Sequence, residues 1–299
     1  MILVAGSANL DFVVRASHIP APGETVLGRE FRTYPGGKGA NQAIACARAG
    51  GSPTAMLLAL GDDPYAEPIE KSLRQAGVHL HIVRVHDQPT GTAFICVSDD
   101  AENAIAVAPG ANGSLRAAHL PPLQDFTHLL LQLEIPLETV ISYAEAARAK
   151  GVKVVLNAAP ARALPPRLMA LLDILVVNIG ELAAVSGHEG STEECLRRVD
   201  VSCVVVTLGN RGCCAQVVGE LIMQDAFVVM PVDTTAAGDA FCGVLVASLS
   251  QGMTLPDALC RANAAGALTC MKAGAQSSIP THAEVESFLE SHRRSAAGR

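Results

Sequence analysis

The stretch DILVVNIGELAAVSG, residues 173–187, sets the reading of the chain. A continuous apolar run leads to Asn178 and then directly into a helix-prone segment. A run apolar on both parities fits a strand buried on both faces, which is the pattern of a parallel strand rather than of a half-exposed antiparallel one. The same unit recurs. MILVAG, KVVLN and VSCVVVTLG are further apolar runs, and NQAIACARAG, PLETVISYAEAARAKG and STEECLRRV are helix candidates between them. Ser191 and Glu194 stand in the spacing of a capping box at the start of the last of these. Strands alternating with helices predict a mostly parallel sheet covered on both faces.

Two regions depart from this rhythm. Residues 9–35 and 90–108 alternate polar and apolar side chains around turn signals such as Pro22-Gly23 and Asp99-Asp100. That pattern suits antiparallel strands with one exposed face, either as ordinary edge hairpins or as a small lid projecting from the α/β body. From residue 238 onward GDAFCGVLVASLSQG, LPDALCRANAAGALTCMKAG and THAEVESFLESH read as successive helices, the first two rich in small residues that allow close packing. No linker and no internal repeat interrupts the chain. The expected organisation is one domain over 1–299, with a lid from about 9–17, 24–35 and 90–108.

Composition narrows the function classes. Of 299 residues 49% are hydrophobic and 17% charged, which is globular rather than disordered. The net charge of −7 and the absence of a basic run before HRR at 292–294 disfavour nucleic acid as a partner. Asp11 interrupts the N-terminal apolar segment before a signal sequence develops, and charges break every apolar stretch before the roughly 18 residues a membrane span needs. A soluble cytoplasmic protein is expected. The nine cysteines include no C-x-x-C pair, so reduced thiols acting as small core residues are expected rather than disulfides or a zinc site. Cys242 alone lies near a motif.

Six stretches can carry chemistry. In YPGGKGANQA, residues 34–43, three glycines and Lys38 precede a helix, so amides and a cation can face a polar ligand there; the Walker A spacing is absent, and a flexible helix entry is the plainer alternative. In SANLD, Asn9 and Asp11 point to one side of an extended strand, which suits sugar hydroxyls as well as it suits a solvated strand end. LLLQLEIP places Glu134 after four leucines, where a carboxylate is costly unless partners are supplied. Glu134, Asn178, Glu181 and TLGNRG (207–212) all fall just beyond predicted strands, where ligands of parallel sheets gather. In VDTTAAGDAFCG, residues 232–243, small residues enter a helix as in a phosphate turn, yet the turn holds Asp239 and no lysine. Asp239 can accept a hydroxyl proton while the amides of Ala236, Ala237 and Gly238 receive phosphoryl charge; it can also be a simple helix cap.

Taken together, these stretches resemble the ribokinase branch of the PfkB carbohydrate kinase family. PGGKGANQA is similar to the family's N-terminal signature and DTTAAGDAF to its C-terminal one. PAPGETV, GDD, TGTA, GANG, LQLEIP, LNAAPAR, NIGE, TLGNRG and GAQSSIP follow in the family's order over nearly the whole chain. The resemblance implies a three-layer αβα sandwich with a mostly parallel central sheet and a small antiparallel β lid. It implies ATP-dependent phosphorylation of D-ribose at O5 by in-line transfer, with Asp239 as general base and the amides of Ala236, Ala237 and Gly238 as anion hole.

By the same resemblance Asn9, Asp11, Gly37, Lys38, Asn41 and Glu134 would hold the sugar with Asp239. Asn178, Thr207, Gly209, Asn210, Gly212, Gly238 and Asn263 would line the ATP site, and Glu181 would organise Mg2+ through water. An activating K+ would be bound by Asp233, Thr235, Thr269, Lys272, Gly274 and Ser278, many through carbonyls. A homodimer joined through the lid sheet would follow from the family as well.

The chain departs from the commonest pattern at Ile179-Gly180, which removes one carboxylate from the family's usual Asn-Glu-Thr-Glu, and at Asn263, where histidine is frequent. Kinases for deoxyribose, fructose or adenosine are the nearest alternatives; with aromatics at 3% and no Trp, a stacked nucleoside base is disfavoured. A non-catalytic sugar-binding protein on this scaffold would have no reason to keep Asp239, the small-residue turn and N-x-x-E together.

Overall fold

Apolar runs close on one another to form the centre of the molecule. A computed structural model of the chain describes residues 1–100 and 102–297. Residue 101, inside the third alternating segment, and the final two positions of the single-domain span lie outside the described residues. The strands in chain order are β1 (Ile2–Ala5), β2 (Asn9–Arg15), β3 (Glu30–Gly36), β4 (Thr54–Gly61), β5 (His79–Val85), β6 (Gly91–Val97), β7 (Asn103–Ala108), β8 (His128–Leu131), β9 (Lys153–Asn157), β10 (Ile174–Asn178), β11 (Cys203–Thr207), β12 (Cys213–Val217) and β13 (Glu220–Gln224). The helices are α1 (Lys38–Ile44), α2 (Ala66–Gln75), α3 (Leu137–Ala149), α4 (Pro166–Met169), α5 (Ile179–Ser186), α6 (Thr192–Leu196), α7 (Ala237–Ser250), α8 (Leu255–Cys270) and α9 (His282–Ala297).

The larger sheet has the order β13-β12-β11-β10-β9-β8-β1-β4-β5. From β11 to β5 every pairing is parallel, with Ile2 of β1, between β8 and β4, opposite both Thr54 and His128. β12 and β13 add an antiparallel hairpin at one edge. The parity of the apolar runs fills both faces. Ile2, Val4, Val155, Val176 and Val205 join one core beneath α1, α7, α8 and α9, whereas Leu3, Ala5, Val154, Val177 and Val206 join another beneath α3 and α5. This is the three-layer αβα sandwich implied by the continuous apolar strands. The carboxyl ends of the parallel strands share one edge, and the connections after β1, β8, β9, β10 and β11 meet there.

The second sheet has the order β3-β2-β6-β7. Its outer pairings are antiparallel, while the central β2–β6 pairing is parallel, Asn9 opposite Gly91. Three residues separate β1 from β2, so the small sheet grows directly from an interior strand of the large one, third from its β5 edge. Phe12 stacks between Phe31 and Phe94, at 6.1 and 5.4 Å, and meets the edge of Tyr65 beside α2 at 5.4 Å. Residues 24–29 fall outside the strands. Among the described residues no helix is long and apolar enough to cross a membrane.

Candidate active site

At the carboxyl edge of the sheet, α1 begins against the β1–β2 connection. A Cβ on Gly39 would stand 2.7 Å from the backbone of Gly6 and Ser7, so only glycine lets the helix start this close. The close approach makes contacts between remote parts of the chain. Ala40 N–H donates to the Ser7 carbonyl at 2.9 Å, and Gly39 N–H reaches Ser7 Oγ at 3.3 Å. Ser7 Oγ donates to Glu134 Oε2 at 2.5 Å, and Lys38 N–H donates to the same oxygen at 3.2 Å. Lys38 Nζ lies 3.9 Å from Glu134 Oε1. The carboxylate after the leucine run therefore has a hydroxyl, a helix N-terminus and a cation as partners.

Asp239 sits in the first turn of α7. Asn41 Nδ2 donates to its Oδ2 and Gln42 Nε2 to its Oδ1, each at 2.9 Å. Burial pushes the Asp239 carboxyl up, against the opposing pull of Lys38 and of the two amide donors. For Lys38, burial disfavours the charge, but Asp239, Glu134 and Glu181 outweigh it and hold the ammonium above its ordinary range. Asp11, on β2, faces Glu134, Asp239 and Lys38; burial, reinforced by both carboxylates and opposed by Lys38, raises it to about 7. Asn9 Oδ1 accepts from Asn112 Nδ2 at 2.8 Å.

The turn before α7 holds Ala236 at φ 61, a left-handed conformation that an alanine adopts at a cost of about 1 kcal/mol. Of the three amides expected in the anion hole, that of Ala237 donates to the Thr234 carbonyl at 3.2 Å. A cavity of about 180 Å³ brings together Lys38, Asn157, Asn178, Glu181, Thr207, Ala236, Gly238, Asp239 and Cys242. A larger groove, about 790 Å³, lies beyond the end of β4, between α2 and β5; its Arg74 and Arg84 are already paired with Glu70, and none of Lys38, Glu134, Glu181 and Asp239 lines it. The Cys242 thiol is pushed far up by burial and by Asp239, which makes it inert.

Asn178 and Glu181 cap α5 reciprocally. Asn178 Oδ1 accepts from Glu181 N–H, and Glu181 Oε2 accepts from Asn178 N–H, both at 2.8 Å. N-x-x-E is thus a capping box, like Ser191 and Glu194 at α6, and it fixes Glu181 at the cavity wall. Burial raises Glu181, against the Asn178 amide and Lys38. Among the described residues no group of three or more His, Cys, Asp or Glu side chains is placed to hold a metal ion.

The residues expected at the nucleotide site lie along the same edge. Thr207 ends β11, and Gly209–Arg211 form a short turn of 3-10 helix carrying Asn210. Gly212, at φ 90, packs where a Cβ would stand 2.1 Å from the Gln224 carbonyl oxygen. Asn263 on α8 donates to the carbonyls of Gln224 and Asp225, each at 3.3 Å, and so ties down the end of β13. The positions expected around K+ fall into two groups. Asp233 Oδ1 accepts from Thr235 N–H and Oδ2 from Gly274 N–H, both at 2.9 Å; burial opposes these bonds, but they hold the carboxyl below its ordinary range. Thr269 and Ser278 are fully buried, their hydroxyls donating to the Ala265 and Ala275 carbonyls. The Lys272 side chain instead turns to Glu284 at 2.7 Å.

Sequence reasoning missed several polar side chains here. Gln42, Gln132 and Asn112 are at most 1% exposed, and Asn157 is also buried. The signal was present in LLLQLEIP and KVVLN, where an amide ends an apolar run and needs a partner as much as Glu134 does.

Comparison with known proteins gives the family and the fold. The model for the pfkB family carbohydrate kinases matches residues 1–282. A ribokinase of Haemophilus influenzae is 37% identical over 301 residues, covering 97% of this chain and 98% of its own. A ribokinase structure from Thermotoga maritima superposes with a TM-score of 0.89 at 36% identity, covering 97% of this chain and 99% of the other. The Arabidopsis thaliana ribokinase complexed with ribose and ATP superposes with a TM-score of 0.88 at 31% identity, covering 97% and 98%.

Proposed function

Because the chain belongs to the PfkB family of carbohydrate kinases, we propose that it is an ATP-dependent ribose kinase, moving the γ-phosphoryl group of ATP to O5 of D-ribose to give D-ribose 5-phosphate and ADP. The observation that carries this reading is the convergence of Asp239, Lys38, Asp11 and Glu134 where α1 and α7 begin at the sheet edge. Asp11, Glu134, Asn9 and Asn41 offer the acceptors and donors that a small polyol requires. Asn41 Oδ1 is buried with no partner in the protein, a vacancy that a sugar hydroxyl suits.

Asp239 accepts the O5 proton as the hydroxyl attacks, a role typically worth about 10²–10⁴ in rate. Lys38 and the backbone amides of Ala236 and Gly238, at the positive end of α7, receive the charge of the transferring group. Glu181 keeps Oε2 in its capping box, so Oε1 is the oxygen left to approach a divalent cation through water. Mg2+ would be held by the ATP phosphates and water, with Glu181 reaching it through water, and would supply electrostatic screening of those phosphates. The oxygen-rich set of Asp233 and the carbonyls along 269–278 fits an activating monovalent cation such as K+. The small sheet, carrying Asn9 and Asp11, acts as the lid that excludes water, and its exposed Phe31, Phe94, Ile105 and Val107 suit pairing with a second copy in a homodimer. A cytoplasmic location agrees with nine free cysteines.

A coupled ADP-release assay with ribose, deoxyribose, fructose and adenosine, with and without K+, tests this function. Ribose should be preferred and K+ should raise its turnover. A preference for adenosine would move the chain to nucleoside phosphorylation, and binding of ribose without ADP release would make it a sugar-binding protein.

A further inference from the structure

Behind Asp239 lies a row of buried amides, of which only Asn157 reaches the cavity wall. Gln132 Nε2 donates to Gln42 Oε1 at 2.7 Å. Gln42 Nε2 in turn donates to Asp239 Oδ1 at 2.9 Å and to Asn157 Oδ1 at 3.0 Å, and Asn157 Nδ2 donates to the Val176 carbonyl at 3.2 Å. Gln42 and Gln132 are fully buried, and neither lines the cavity. We infer that Gln42, oriented by Gln132, is the positioning residue of Asp239: a one-way amide relay fixes the rotation of the carboxylate and aims it at the attacking hydroxyl. This inference rests on the reading of Asp239 as the base.

The polarity of the relay is enforced by chemistry. An amide carries donors at one end and acceptors at the other, so its orientation is set by its partners. Were Gln42 turned over, its carbonyl would face two acceptors, Asp239 Oδ1 and Asn157 Oδ1, and its NH2 group would face the NH2 group of Gln132. Gln132 accepts a cost to hold this polarity, since its own Oε1 is buried beside Gly6 with no partner. Asn41, the other donor to Asp239, has an Oδ1 without a protein partner, and as a sugar contact in the proposed function it can exchange partners when sugar binds. Gln42 is the donor that no ligand displaces.

The groups facing Asp239 are Lys38 from α1, Glu134 after β8, Asp11 from β2, Glu181 from α5 and Cys242 one turn along α7. Burial, with Glu134 adding to it, opposes its ionisation, and Lys38 with the amides of Asn41 and Gln42 supports it. Loss of the Gln42 donor therefore favours the protonated, inactive form.

The test compares pH profiles of kcat and kcat/KM for the wild type, Gln42→Met, Gln132→Met and Asp239→Asn. Methionine keeps the length and bulk of glutamine without its donors. Gln42→Met should lower kcat about tenfold near neutral pH, the loss of one hydrogen bond to a charged group, with KM for ribose and ATP within about twofold. Its acid limb should move to higher pH, so the gap to the wild type narrows as pH rises. Gln132→Met should shift the limb in the same direction by less, and it decides the matter if Gln42→Met does not fold. A pH-independent loss, a change confined to KM, or wild-type behaviour in the folded variants overturns the relay. Those outcomes with an inactive Asp239→Asn sink the relay alone, whereas an active Asp239→Asn sinks the base assignment beneath it.

Discussion

Asp11 offers the sharpest thermodynamic consequence of the site, because the unliganded protein holds its carboxyl in a place that disfavours the charged form. Burial, with Glu134 and Asp239 adding to it and Lys38 opposing, lifts the carboxyl from 3.8 to about 7. The folded chain therefore keeps a proton that the unfolded chain releases anywhere between those values. Unfolding then liberates a proton, so stability falls as pH rises from about 4 to about 7 and is flat above. The full span corresponds to about 4 kcal/mol, of which roughly a third has accrued by pH 5. Asp11→Asn removes the ionisation and keeps the shape. It should be more stable than the wild type by roughly 4 kcal/mol at pH 8 and by less than half of that at pH 5. Urea unfolding of both proteins at the two pH values, without sugar, measures the difference. The same variant should bind ribose more weakly, since the strained carboxylate is a sugar acceptor in the proposed function. An equal gain at both pH values, or no gain at pH 8, would refute the electrostatic reasoning.

Two other substitutions probe the frame around the site. Val218, at φ 49 and 91% exposed, occupies a left-handed position before Gly219 in the β12–β13 turn, where asparagine belongs. Val218→Asn should add about 1 kcal/mol, seen as a rise of about 2 °C in Tm with kcat unchanged. A methyl group at Gly6 would stand 1.9 Å from Gln132 Oε1 and 3.1 Å from the Gly39 backbone. Gly6→Ala should cost about 1–3 kcal/mol in thermal unfolding and lower kcat by displacing the Gln132 amide.

The fold was legible wherever strands are buried on both faces. Residues 153–157, 174–178 and 203–207 read directly as parallel strands because nothing but an apolar run survives between two helical layers. β5 was not, since an edge strand of sequence HLHIVRV carries two histidines and an arginine where one side stays exposed. The β2–β6 pairing was also hidden: alternation reveals a half-exposed strand but not the direction of its neighbour. At the site, Asp239 and Lys38 stood out because charged residues in glycine- and alanine-rich turns are conspicuous. Gln42 and Gln132 did not, because an uncharged amide in an apolar run carries little signal until its partner, remote in sequence, is known. Asn178 and Glu181 show the reverse. Their spacing fits a metal motif and a helix cap equally well, and the structure makes them a cap at the lining of the cavity.

The proposed chemistry stands most directly on Asp239. Single-turnover formation of ribose 5-phosphate by the wild type and by Asp239→Asn, at saturating ribose and ATP, isolates the proton-transfer role from binding. The variant should bind both ligands within a few-fold of the wild type and form product about 10²–10⁴ more slowly. Product formation within tenfold of the wild-type rate would contradict the assignment of Asp239 as the base.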